Sequence, residues 1–209
     1  TTRSSPRSWG RHVRPDLVLV ADRVPAGARV LDLGCGPGDL LAHLSDKGCR
    51  GTGVEIDQTA FLSAVARGVA VLSLDIDHDL HAFADDSYDV VVLSQTLQAT
   101  RRPRHVLAEI ARIAPRCVLS VPNFAYWRHR SELLLSGRMP VSAELPYPWY
   151  QTPNIHLSTL PDTEALVADV GMAVRDRLLL DERHRPLRNQ RLAGNWRAAR
   201  AVYALGRSD

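Results

Sequence analysis

The chain has 209 residues and a formal net charge of +3, with 45% apolar and 23% charged residues. This length is enough for one domain with a buried core, and the composition is typical of globular proteins. No apolar run approaches the roughly 20 residues that cross a bilayer, so a membrane-spanning helix is not expected. Lys47 is the only lysine, and the arginines form no basic stripe with interleaved aromatics, so nucleic-acid binding is not expected either.

The cysteines and histidines give no sign of a disulfide framework or a metal site. Cys35, Cys49 and Cys117 are odd in number and widely spaced, which is typical of a protein from the reducing cytoplasm. His78 and His81 could contribute two metal ligands, but no third or fourth ligand lies near them in sequence. We therefore predict no metal.

The domain boundaries follow from where apolar patterning begins. The first ten residues contain two arginines and no apolar stretch, so they do not resemble a secretory signal. We expect residues 1–12 to be a flexible leader and residues 13–209 to be one domain. No internal repeat or low-complexity linker divides it.

Strands and helices alternate along the chain, which predicts an α/β fold with a parallel sheet. The predicted strands are Arg29–Leu33, Gly51–Glu55, Val69–Leu74, Tyr88–Leu93, Arg116–Val121, Val174–Leu180 and Ala199–Leu205. The predicted helices start after Pro15 and then cover Leu40–Lys47, Thr59–Arg67, Arg104–Ile113 and Pro161–Val170. We expect a Rossmann-like, mostly parallel seven-stranded sheet with helices on both faces, its last two strands pairing antiparallel at one edge.

One segment, residues 124–160, does not fit this alternation. It is rich in aromatic residues and prolines: Tyr126, Trp127, Pro140, Pro146, Tyr147, Pro148, Trp149, Tyr150 and Pro153. Insertions of this length in compact domains are usually lids or binding surfaces. We call this segment the insertion.

A glycine-rich loop, Val30-Leu-Asp-Leu-Gly-Cys-Gly-Pro-Gly38, carries the strongest chemical signal. It follows a strand and opens a helix, whose free amides suit a carboxylate. The spacing is Gly-x-Gly-x-Gly, not the Gly-x-Gly-x-x-Gly of dinucleotide sites, and Asp32 precedes the first glycine. An acid at this position suits an ammonium group better than a pyrophosphate, which favours a nucleoside that carries an amino acid; a plain glycine-rich turn is the alternative. The predicted contact residues of the loop are Gly34, Cys35, Gly36 and Gly38.

The ends of the second and third strands add candidate ligand-binding residues at the same edge of the sheet. Glu55 ends the second strand, where a carboxylate can accept both ribose hydroxyls, and Ile56 follows it. Its alternative role is a solvated loop acid, and Asp57 is predicted to cap the next helix. Asp75 could accept the amino group of adenine while Ile76 packs on the ring.

The roles of Asp75 and of the residues at the end of the fourth strand each have an alternative. Asp75, Asp77 and Asp79 could instead form a solvated acidic turn. Ser94 and Gln95 end the fourth strand, where they either line the floor of the cleft or serve only as a turn.

The glycine loop, Glu55 and Asp75 together resemble the class I S-adenosylmethionine-dependent methyltransferases. Further segments resemble the methionine biosynthesis protein MetW family: Ser94-Gln-Thr-Leu-Gln-Ala99, Val121-Pro-Asn-Phe124, Gly137-Arg-Met-Pro-Val141 and Pro146-Tyr-Pro-Trp-Tyr-Gln-Thr-Pro-Asn-Ile-His-Leu157. The resemblance covers roughly Val13 to Leu180. It implies a class I methyltransferase fold and a cytoplasmic protein that binds S-adenosylmethionine or S-adenosylhomocysteine. It also implies association with homoserine O-acyltransferase, and Gln151 stands where the family has Asp.

Whether such a site catalyses methyl transfer is left open by the sequence. The weak candidates for a catalytic group are Asn123, Tyr150 and His156, all in or beside the insertion. The fourth strand is not followed by the Asn/Asp-Pro-Pro-Tyr/Phe motif of amino-methylating enzymes that act on DNA bases, and RNA methylation rests on arginine content alone. The sequence thus favours an accessory partner of the acyltransferase, and the alternative is an active methyltransferase on a small metabolite.

Overall fold

A computed structural model describes residues 15–142, 145–188 and 194–208 of the chain. Its strands are β1 (Arg29–Leu33), β2 (Arg50–Val54), β3 (Val71–Leu72), β4 (Val90–Ser94), β5 (Arg116–Pro122), β6 (Met172–Leu180) and β7 (Arg200–Arg207). Its helices are α1 (Pro15–Ala21), α2 (Asp39–Asp46), α3 (Gln58–Ala66), α4 (Pro103–Ile113), α5 (Trp127–Ser136), α6 (Leu160–Asp169) and α7 (Gly194–Arg197). The expected leader, residues 1–12, lies outside the described residues.

The strands form one seven-stranded sheet in the order β3-β2-β1-β4-β5-β7-β6. The first five strands are parallel, and β7 pairs antiparallel with both β5 and β6. The predicted mostly parallel sheet with an antiparallel final pair is therefore confirmed. The strand order reverses between β1 and β4, the position at which open α/β sheets bind ligands.

Side chains of alternate strand residues pack into two separate hydrophobic cores, one on each face of the sheet. Leu31, Val91 and Leu119 join the core that α4 and α6 cover. Val30 and Val92, their neighbours in sequence, join the core that α1 and α2 cover. Helices on both faces explain why these strands are apolar at nearly every position.

The structure differs from the prediction most clearly at the third strand and in the insertion. The third strand is limited to Val71–Leu72 and not Val69–Leu74, because this edge strand pairs with β2 only at Gly53 and Val54. The insertion contains a helix, α5, that was not predicted. Of its side chains only His129 is buried, so the apolar periodicity that marks a helix is missing.

We predict that the buried faces of the central strands supply most of the stability. Leu31 in β1 is fully buried, so Leu31→Ala should lower the free energy of unfolding by about 2–5 kcal/mol. Leu72 in edge strand β3 is 42% exposed, and Leu72→Ala serves as the matched control, expected to cost less than about 1 kcal/mol. Urea unfolding measures both, and equal costs would contradict the assignment of the core.

Candidate functional site

A cavity of about 660 Å³ opens at the carboxyl ends of β1 and β4, where the strand order reverses. This volume is in the range of small-molecule sites. Six of the predicted cofactor-binding residues line it: Asp32, Gly34, Cys35, Gly36, Ser94 and Gln95. The other five, Gly38, Glu55, Ile56, Asp75 and Ile76, lie outside its lining.

The glycine loop makes the tight turn that its sequence predicts. Gly34, Gly36 and Gly38 all have positive φ angles, of 73°, 55° and 82°. A Cβ atom on Gly34 would lie 2.6 Å from Oγ1 of Thr96, and one on Gly38 would lie 2.9 Å from a methyl group of Val69. Side chains are therefore excluded here by both conformation and space. A Cβ atom on Gly36 would meet no atom within 4 Å, and Gly36 lies on the part of the loop that lines the cavity.

Glu55 joins the end of β2 to this loop. One oxygen of its carboxylate accepts a hydrogen bond from the amide of Gly36 at 2.8 Å, and the other accepts from the amide of Asp57 at 2.9 Å. Each oxygen keeps a further lone pair, so the oriented carboxylate can still accept hydroxyl donors. Asp57 caps α3 as predicted, because its side chain accepts from the amide of Ala60.

The inner part of the site carries negative charge. Asp32 is only 2% exposed. Burial, together with the charges of Asp32 and Glu55, raises the pKa of the Cys35 thiol to about 12. Cys35 therefore stays neutral near pH 7 and does not act as a nucleophile. Two carboxylates around a neutral thiol favour a cationic ligand group, such as an ammonium or a sulfonium.

The acidic turn after β3 is only partly solvated. The Asp77 side chain is buried and accepts hydrogen bonds from the amides of Arg101 and Arg102 at 2.9–3.0 Å. Asp75 is half-buried, and one oxygen of its side chain accepts from the Asp77 amide at 2.8 Å. The alternative of a wholly solvated turn is wrong for Asp77, while adenine recognition by Asp75 stays a prediction.

The two isoleucines beside these acids differ in exposure. Ile56, next to Glu55, is 66% exposed. Ile76 is half-buried and packs against the core under α4. Of the two, Ile56 offers the larger bare apolar surface to a ring.

The three catalytic candidates do not converge on the cavity. Asn123 is buried, and its side-chain amide donates to the carbonyls of Asn195 and Ala198, tying the end of β5 to the segment before β7. Tyr150 is 67% exposed and His156 is also exposed, and neither lines the 660 Å³ cavity. Their role in catalysis stays a prediction without support from this geometry.

Two glutamines at the end of β4 form the polar floor of the cavity. Gln95 has a positive φ of 57°, a strained conformation that is common at functional sites. The Gln98 side chain, 6% exposed, donates to the carbonyl of Gln95 at 2.8 Å. Within the described residues, Nε2 of the Gln95 side chain and Oε1 of the Gln98 side chain are buried without hydrogen-bond partners. Buried polar atoms of this kind need an explanation, and a polar ligand supplies one.

Further lining residues were not among the predicted site residues. Among them are Leu17, Gln98, Tyr147, Asn154, His184 and Arg200. Arg200 forms a buried ion pair with Asp16 of α1 at 3.3 Å, and its guanidinium lies 2.7 Å from Nδ1 of His184. The motifs quoted for the family resemblance contain Gln98 and Asn154, but no local signal marked His184 or Arg200.

Within residues 15–142, 145–188 and 194–208, no helix is both long and apolar enough to cross a membrane. The same residues contain no group of three or more His, Cys, Asp or Glu side chains arranged to hold a metal ion. His78 and His81 contact Arg102 and the backbone instead.

Solved structures with a similar fold include methyltransferases. An S-adenosylmethionine-dependent methyltransferase from Mesorhizobium loti matches with a TM-score of 0.67 at 18% identity, over 91% of this chain and 96% of that one. The 1,6-didemethyltoxoflavin-N1-methyltransferase of Burkholderia thailandensis, solved with S-adenosylhomocysteine bound, matches with a TM-score of 0.64 at 16% identity, over 94% of this chain and 78% of that one. At these identities the likeness shows the fold, which is that of the class I S-adenosylmethionine-dependent methyltransferases.

Sequence relatives narrow the assignment. A bifunctional methionine biosynthesis protein MetXA/MetW from Rhodopirellula baltica is 35% identical over 172 residues, which cover 78% of this chain and 28% of that protein. The family model described as methionine biosynthesis protein MetW matches residues 14–205, well beyond the Leu180 limit of the resemblance inferred from sequence. The chain therefore belongs to the MetW family of methionine biosynthesis proteins.

Proposed function

We propose that this chain binds S-adenosylmethionine or S-adenosylhomocysteine and serves as an accessory partner of homoserine O-acyltransferase. The observation that carries the nucleoside part is the Glu55 carboxylate, which is held by the Gly36 amide beside buried Asp32. This arrangement brings a ribose acceptor and an acid for a cationic amino acid to adjacent strands of the sheet.

Each part of the nucleoside has residues that fit it. The amino-acid end would meet the glycine loop and Asp32, and no side chain among the described residues caps the start of α2, where amides suit a carboxylate. Glu55 would accept the ribose hydroxyls, and Ile56 and Asp75 would contact adenine. Bound S-adenosylmethionine would supply a sulfonium-activated methyl group, while the protein would orient it and exclude water.

The partner part of the proposal is supported by the fused relative. In the Rhodopirellula baltica protein, MetXA and MetW share one chain. The family resemblance identifies the MetXA function with homoserine O-acyltransferase. We further propose that this association occurs in the reducing cytoplasm, with which the free and buried thiols of Cys35, Cys49 and Cys117 are compatible.

A second candidate function is methyl transfer to a small metabolite in the same cavity. It is favoured by the presence of His184 and Tyr147, which line the cavity and could contact an acceptor. Incubation with labelled methyl donor and cell extract tests it, with Glu55→Ala as the control. Label above that control would establish an acceptor, and its absence would leave the accessory role alone.

We predict that the wild-type chain binds S-adenosylhomocysteine in isothermal titration calorimetry and that Glu55→Gln weakens this binding more than tenfold. The loss of charge-assisted hydrogen bonds to the ribose accounts for about 1.5–3 kcal/mol. Glu132→Gln on the exposed surface of α5 is the matched control and should bind like the wild type. Equal affinities for the wild type and Glu55→Gln would contradict the ribose assignment.

We also predict that the purified chain co-elutes with homoserine O-acyltransferase of the same organism and changes its initial rate. Size-exclusion chromatography of the mixture detects the complex, and an acyl-transfer assay with and without the chain detects the effect. If the two proteins elute separately and the initial rate of the acyltransferase is unchanged, the accessory role is ruled out.

A further inference from the structure

The insertion exposes an apolar surface on its outer side. Nine residues line one shallow depression of about 290 Å³, and we call six of them the insertion face: Met139, Pro140, Tyr147, Trp149, Ile155 and Leu157. Trp149 is 72% exposed and Ile155 is 54% exposed. Exposed apolar residues are usually scattered on a monomer, whereas a cluster of this kind marks an interaction site.

The chemistry of the insertion face is that of a protein interface. Aromatic residues and methionine are enriched at the centres of interfaces, and Trp and Tyr are frequent among the residues that contribute most to affinity. Tyr150 packs edge-on against Trp149, with ring centroids 5.8 Å apart. The face contains no charged side chain, so its partner must offer an apolar surface and not a charged polymer.

The relative from Rhodopirellula baltica identifies the kind of occupant. This chain corresponds to only 28% of that protein, and the name of that protein gives MetXA as its second function. Fusion holds two domains at a high effective concentration and so favours contact between them. An apolar surface on the domain that corresponds to MetW is suited to contact with the MetXA domain.

The inner side of the same segment closes the cavity at the carboxyl ends of β1 and β4. Tyr147 and Asn154 line both this cavity and the depression of the insertion face. The backbone carbonyl of Gln98 accepts hydrogen bonds from the amides of Ile155 and His156 at 2.9 and 3.0 Å. Gln98 also lines the cavity, so one residue borders the ligand space and anchors the segment that carries the outer face.

We infer that the insertion is a two-sided wall, on which homoserine O-acyltransferase docks at the outer face while the nucleoside contacts the inner one. The inference rests on the proposed function and adds its location and its consequence. Because both ligands bias the same segment, each changes the affinity of the other by the same factor.

The location is tested with the double variant Trp149→Ala/Ile155→Ser, whose affinity for the acyltransferase is measured by surface plasmon resonance. We expect roughly tenfold weaker binding or more, since aromatic anchors dominate interface affinity. Leu62→Ser on α3, where Leu62 is 56% exposed, is the matched control and should bind like the wild type. Retained binding of S-adenosylhomocysteine by the double variant verifies that it is folded.

The outcomes separate this inference from the proposed function. If the wild type does not bind the acyltransferase, the accessory role itself fails and the docking site with it. If wild type and double variant bind it equally, only the docking site is wrong. A wild-type chain that dimerises alone, and a double variant that does not, would assign the face to a second copy of this chain and overturn the inference.

The linkage is tested by measuring the dissociation constant of S-adenosylhomocysteine with and without saturating acyltransferase, and the reverse. We expect the same factor in both directions, about fivefold or more. Gln98→Met should bring this factor towards one, whereas Gln151→Met, at an exposed position of the insertion, should leave it unchanged. A wild-type factor within about twofold of one, in either direction of measurement, would contradict the linkage.

Discussion

The hydrogen bond from the Gly36 amide to the Glu55 carboxylate is the interaction on which the site depends. It connects the loop after β1 with the end of β2, and it orients a charged group that would otherwise sample solvent. Positive φ angles at the glycines allow the loop to turn towards β2. Cys35, in this loop, packs directly on the backbone of Gly53, where a side chain would leave no room for its thiol. Fold and site are thus joined, because the parallel pairing of β1 with β2 sets the separation of Glu55 from the loop.

The charge distribution around this hydrogen bond gives the cavity two chemically different ends. Near the glycine loop, Asp32 and Glu55 create a negative environment, and their charges add to burial, the larger cause, in raising the pKa of the Cys35 thiol. Elsewhere in the lining, Arg200 is paired with buried Asp16 and contacts His184, so its charge is largely compensated. A buried ion pair of this kind contributes little net stability but fixes α1 against β7. The cavity is therefore suited to a ligand whose ammonium or sulfonium group lies near the glycine loop and whose other end is polar and uncharged.

Much of the fold could be predicted from the sequence, because buried parallel strands and helix signals are local. The glycine loop and the Asp57 cap were predictable for the same reason, since turn and cap chemistry depend on a few adjacent residues. His184 and Arg200 were not predictable, because they reach the cavity only through the antiparallel pairing of β6 and β7. Helix α5 was missed because its mostly exposed surface lacks an apolar period, and the inward position of Asn154 depends on tertiary contacts.

The chain has the methyltransferase fold, and its aromatic insertion lies between the cavity and an apolar outer face. We propose that the Glu55 carboxylate holds the ribose of a nucleoside bound beside the glycine loop. A crystal structure of the chain with S-adenosylhomocysteine is the decisive experiment. We expect both ribose hydroxyls within about 3 Å of the Glu55 carboxylate oxygens. A nucleoside bound elsewhere, or a Glu55 side chain turned away from it into solvent, would contradict the claim.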